Sequence, residues 1–178
     1  MSTSGPFFSW SLVALTLVAA VFDARTKRIP NVLSLGALLC APLLHAVLAP
    51  RPLAMQAALD SLLAAALCGA GPLLFWRLGA VGGGDVKLVA AIGALGGLGL
   101  GLETAFLSFF CVIAFACLRL TWRGILLKSI AQGISTSVSS LREKPLPGHG
   151  PEPVPLRFGP FACAGAVLAL LLHGGGLI

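Results

Sequence analysis

Residues 79–102 read GAVGGGDVKLVAAIGALGGLGLGL: a glycine-rich opening, one aspartate, one lysine, then fifteen residues without a charge. A carboxylate at the mouth of so apolar a run is costly unless it reaches interfacial water or a partner. Residues 21–31, VFDARTKRIPN, show the mirror image, an apolar run that closes on Asp23. Only six acidic residues occur in 178, and Asp23 and Asp85 are the two at these positions.

The surrounding chain has the same character. It is 57% hydrophobic and 10% charged, with a mean hydropathy of +0.98, whereas soluble domains carry roughly 25% charged residues. A membrane-crossing helix needs about 20 apolar residues. Six stretches meet or approach that length: 7–22, 32–49, 54–76, 86–102, 103–120 and 158–173. The expected fold is all-α, a polytopic membrane protein of about six transmembrane helices forming a single membrane-embedded domain over 1–178. Residues 122–142 repeat Leu127, Ile130, Ile134, Val138 and Leu141 at helical spacing between polar positions. That pattern predicts an amphipathic helix lying in the membrane interface. Five prolines and two glycines over 145–155 then read as a flexible connector.

A net charge of +6 invites a nucleic-acid partner, and the distribution of basic residues argues against one. Eleven of the twelve lysines and arginines follow segments one, three and five, with only Arg51 on the other side. Basic residues favour cytoplasmic loops. The expected topology puts both termini outside and both aspartates at the cytoplasmic surface, with the lipid bilayer as the surrounding partner. The first segment lacks a basic n-region and has its charges after the apolar run, as a retained anchor does. The five cysteines form no CxxC, and His45, His149 and His173 are scattered, so neither a metal nor a cofactor is expected.

Each aspartate has a plain structural explanation on its own. Asp23 could pair with Arg25 or Lys27, and Asp85 could cap the helix that follows it. Together on one membrane face they suggest chemistry. Two carboxylates in one site titrate as a coupled pair. One can take a proton from an attacking water while the other, protonated, polarises a carbonyl. Asp60 and Glu103 lie towards the opposite face, where a packing or interfacial role is expected for Asp60. Gly82, Gly83 and Gly84 give the loop before Asp85 its freedom and permit close backbone approach. Lys87 is expected to fix the fourth helix at the interface, and Pro30 and Asn31 to shape the turn that presents Asp23.

The stretch GGGDVKL resembles the GxGD-[VIA]-K-[LM] signature of the type IV prepilin peptidases, membrane aspartic proteases that process pilin precursors. Asp23 shortly before Ile29-Pro30-Asn31 resembles their first catalytic block, and residues 155–161, PLRFGPF, resemble a late P-x-x-F-G-P-F element. The resemblance implies that Asp23 and Asp85 are the catalytic dyad. It also implies a prepilin or pseudopilin substrate in the inner membrane, whose basic leader is cut on the cytoplasmic side after a glycine. Bifunctional members carry an amino-terminal domain with paired CxxC motifs and methylate the processed pilin. This chain opens on a membrane segment and has no CxxC, so it resembles the short, peptidase-only form of tight-adherence (Flp-type) pilus systems. Two other functions fit the apolar chain: a small transporter or ion pathway using the two aspartates, and a non-enzymatic component of pilus or secretion assembly.

Overall fold

The structure is a computed structural model, and it describes residues 6–26, 29–78, 81–122 and 158–174. Every element among them is helical: α1 (Pro6–Thr26), α2 (Asn31–Leu48), α3 (Ala54–Arg77), α4 (Gly83–Gly96), α5 (Leu102–Trp122) and α6 (Phe158–Gly174). A 3-10 turn, Arg51–Leu53, leads into α3, and a π-helical segment, Gly97–Gly101, separates α4 from α5. The amphipathic helix expected over 122–142 and the proline-rich connector lie outside the described residues, apart from Trp122.

Four helical stretches are long and apolar enough to cross a membrane: Phe7–Thr26, Asn31–Leu48, Arg51–Arg77 and Gly83–Arg119. Phe158–Leu172 is a shorter apolar helix. The fourth stretch spans 37 residues, and it is not one straight rod. A continuous helix would hold Gly93 and Gly101 about 12 Å apart, yet a Cβ on Gly101 would come within 2.9 Å of the Gly93 Cα. The chain therefore folds back between them. Gly97 makes the turn with a φ of 65°, a left-handed conformation that glycine adopts without steric cost. The sequence suggests a boundary at residues 99–103; the break begins earlier because only the backbone of Gly97 turns over.

The helices fall into two units, residues 1–111 with 157–178, and residues 112–156. In the first unit α4 is central, packed against α2 and α3, while α1 packs mainly on α6 and also meets α4. Small residues permit this. Gly69 faces Ala90 across α3 and α4, and Gly93 lies directly against the backbone of Ala64. Leu88, Val89, Ala91, Ile92 and Ala94 are fully buried, whereas Leu39, Val47, Leu67, Phe106 and Leu171 point outwards. Small residues inside and large apolar ones outside is the pattern of helices that pack closely and face lipid. This is the arrangement of a multi-pass membrane protein.

The end of α4 leaves carbonyls without helical partners. Side chains from two neighbouring helices supply donors. Ser61 on α3 donates to the Ala94 carbonyl at 2.7 Å, and His45 on α2 donates through Nε2 to that of Leu95 at 3.0 Å. A carbonyl can only accept, so this contact puts the His45 proton on Nε2. The imidazole stacks on Phe8 with 3.9 Å between ring centres and 3° between planes. In the second unit, residues 112–122 form the end of α5, where Phe115, Leu118, Arg119 and Trp122 line a shallow apolar recess.

Candidate active site

The ends of α1 and α3 and the starts of α2, α4 and α6 meet on one side of the first unit. Asp23 lies in the last turn of α1, which runs on to Thr26 instead of stopping at the aspartate. Ala24 and Arg25 are good helix formers, and the Thr26 hydroxyl donates to the Phe22 carbonyl at 2.8 Å. The helix therefore extends four residues beyond the apolar stretch 7–22 that the sequence marks. Asp23 is only 8% exposed, while Arg25 beside it is exposed. Residues two apart on a helix face different ways. The Asp23 carboxylate turns inwards, and its Oδ2 accepts a hydrogen bond from the Gly159 amide at 3.0 Å.

Asp85 is the third residue of α4, and Gly82 holds the N-cap position. The Gly82 carbonyl accepts from the amides of Asp85 at 3.1 Å and Val86 at 3.4 Å, which winds the first turn. Asp85 is thus inside the helix and does not cap it, and its carboxylate is half-buried. Asp23 and Asp85, on helices far apart in sequence, lie within electrostatic range of each other.

The other residues singled out in the sequence collect around this pair. A Cβ on Gly82 would lie 3.3 Å from the Asp85 Oδ2, one on Gly83 3.3 Å from Trp76 Nε1, and one on Gly84 3.7 Å from the Ile29 Cβ. Pro30 precedes the first turn of α2, and its carbonyl accepts from Leu33 at 3.1 Å. Asn31 opens α2, and its Oδ1 accepts from Lys87 Nζ at 3.0 Å. Lys87 therefore joins the aspartate-bearing turn of α4 to the block that follows Asp23. Asp60 is exposed on α3, so it serves no packing role in the core. Among the described residues no group of histidine, cysteine and acidic side chains has the arrangement to hold a metal ion.

The Lys87–Asn31 bond is partly open to water, where a charge-assisted contact contributes about 1 kcal/mol or less. Lys87→Met and Asn31→Ala are each expected to slow turnover about fivefold, the rate equivalent of that energy. The double variant is expected to be no slower than either single one. A kinetic double-mutant cycle checks this, and fully multiplicative losses would show that the two side chains act separately.

The model of the type IV leader peptidase family matches residues 10–117. The chain belongs to that family. No curated protein and no solved structure matches it. The family match takes in both aspartates and the Lys87–Asn31 pair, and it ends before α6. Gly159 is the residue near the aspartates that the sequence did not single out, although the F-G-P-F stretch containing it was conspicuous. A glycine just inside a helix start, where a side chain is normally tolerated, was the available signal.

Proposed function

We propose that this chain is an aspartic endopeptidase that removes the leader from Flp-type prepilins at the cytoplasmic face of the bacterial inner membrane, with Asp23 and Asp85 as its dyad. The observation that supports the reading is that the end of α1, which bears Asp23, and the start of α4, which bears Asp85, belong to helices packed on each other and lie within electrostatic range. Membership of a leader peptidase family makes peptide cleavage the reaction to explain. The dyad explains it with no serine or cysteine nucleophile.

One carboxylate, ionised, takes a proton from water as the oxygen attacks the scissile carbonyl carbon. The other, protonated, gives its proton to the carbonyl oxygen. The tetrahedral intermediate then collapses. Its C–N bond breaks as the first carboxyl gives its proton to the leaving amine and the second carboxylate takes one from a hydroxyl of the intermediate, so the pair, singly protonated throughout, regains its starting arrangement. Gly82 is exposed beside Asp85, so an extended substrate backbone can approach there without meeting a side chain.

The reading comprises six spans, both termini outside, and one membrane-embedded peptidase domain. The bias of lysine and arginine towards one set of loops supports that orientation. A pilin precursor with its hydrophobic helix still in the bilayer would present its leader junction at the surface where these helix ends gather. A proton or cation pathway fits less well, because it needs carboxylates along a route across the membrane.

Co-expression with a Flp-type prepilin tests the substrate assignment, with the mature amino terminus determined by mass spectrometry. The expected product begins after the leader glycine. A prepilin that keeps its leader beside well-inserted wild-type protein would overturn the assignment.

A further inference from the structure

The last helix reaches the aspartates through a backbone group. Gly159 is the second residue of α6, so its amide is one of the donors that a helix start leaves without an intrahelical partner. It donates to the Asp23 Oδ2 at 3.0 Å in a buried setting. Asp23 lies in the last turn of its own helix, the negative end of the α1 dipole and an unfavourable place for a carboxylate. The positive end of α6 faces it and offsets that penalty.

The approach is possible only for glycine. A Cβ at position 159 would sit 2.9 Å from the Asp23 Cβ, 3.0 Å from the Ala20 Cα and 3.1 Å from the Asp23 Oδ2. Two of those atoms belong to the α1 backbone or are fixed to it, so neither can rotate aside. The start of α6 is itself held in place. Phe158 is 8% exposed and its ring centre lies 5.4 Å from that of Phe109, while the Ser108 hydroxyl, which donates to the Thr104 carbonyl at 2.7 Å, also approaches that of Ala162 at 3.5 Å.

We infer that Gly159 is a positioning residue of the dyad: its amide fixes one oxygen of Asp23 and leaves the other free for water and for Asp85. The inference rests on the reading of Asp23 as catalytic. It extends the site beyond α1 and α4 to a helix outside the family match.

The test uses the full chain reconstituted in liposomes with a Flp-type prepilin, measuring kcat, KM and melting temperature. Wild type, Asp23→Asn, Gly159→Ala and Gly69→Ala are compared. Gly69→Ala is a packing control, because its Cβ would meet the Ala90 Cβ at 3.2 Å, between α3 and α4. Misplacing a reacting group by about 1 Å can cost a hundredfold. Gly159→Ala is accordingly expected to lower kcat at least about tenfold with KM little changed, while Gly69→Ala lowers the melting temperature and keeps kcat. A wild-type kcat in Gly159→Ala, with Asp23→Asn inactive, would overturn the inference and leave the dyad standing. Full activity in Asp23→Asn would remove both.

A second measurement does not depend on Gly159→Ala folding. In selectively glycine-labelled protein, the Gly159 amide proton resonance is expected to move upfield and exchange faster in Asp23→Ala. An unchanged resonance would show that the hydrogen bond is not made, and would end the proposal.

Discussion

Asp85→Asn and Asp23→Asn are each expected to lower the rate of leader cleavage at least about a thousandfold, within the range that a positioned acid or base contributes. The exchange is nearly isosteric. It keeps an oxygen where Asp23 accepts from Gly159, and it leaves untouched the backbone bonds that wind the first turn of α4. What it removes is the capacity to hold and release a proton. KM should change little, because the loss falls on the chemical step. Stability should hold or rise, since the variant no longer keeps two carboxylates in one environment. A large loss of activity without loss of stability separates a catalytic carboxylate from a structural one. The measurement is cleavage of a Flp-type prepilin by each variant, beside a melting curve for the same protein.

The largest expected effect on folding is at Gly93. A Cβ there would lie 2.5 Å from the Ala64 carbonyl oxygen and 2.8 Å from the Cys68 Cβ. The first obstacle is backbone and cannot swing away. Gly93→Leu must push α3 off α4, and α4 is the helix against which α1, α2 and α3 all pack. Overpacking of a well-filled core commonly costs 1–3 kcal/mol, and a backbone obstacle at the centre of the bundle should cost more than about 3 kcal/mol. Thermal unfolding in detergent, followed by tryptophan fluorescence, measures it. Gly36→Leu and Gly71→Leu are the comparison, because a Cβ at either glycine meets nothing within 4 Å. Both should melt close to wild type.

The contrast between those glycines explains which parts of the molecule were legible in the sequence. Apolar runs bounded by Asn31, Arg77 and the triple glycine 82–84 placed the helices to within a few residues, since span length follows from bilayer thickness. The aspartates were legible because a carboxylate beside so apolar a run is rare. Which of the many glycines is indispensable was not legible, because Gly36 and Gly93 differ only in what lies opposite them. The helix break was expected at residues 99–103, yet it turns on the positive φ of Gly97, and several neighbouring glycines could have adopted that conformation.

The end of α1 was misplaced for a related reason. The charged residues after Asp23 look like a connector, but Ala24 and Arg25 prolong a helix already nucleated, so Asp23 is presented from a rigid turn. The family signature located both aspartates without indicating what holds them. The Lys87–Asn31 bond and the Gly159 amide both join residues far apart in the chain. Such pairings arise only when the bundle assembles, and no local periodicity encodes them.

The central claim, that Asp23 and Asp85 form one reaction centre, is tested most directly by a kinetic double-mutant cycle. Single-turnover cleavage of a Flp-type prepilin in liposomes is measured for wild type, Asp23→Asn, Asp85→Asn and the double variant. Groups that act as a unit are strongly non-additive, so the double variant should be about as slow as the slower single one. Losses that multiply would contradict the claim and show two carboxylates working independently.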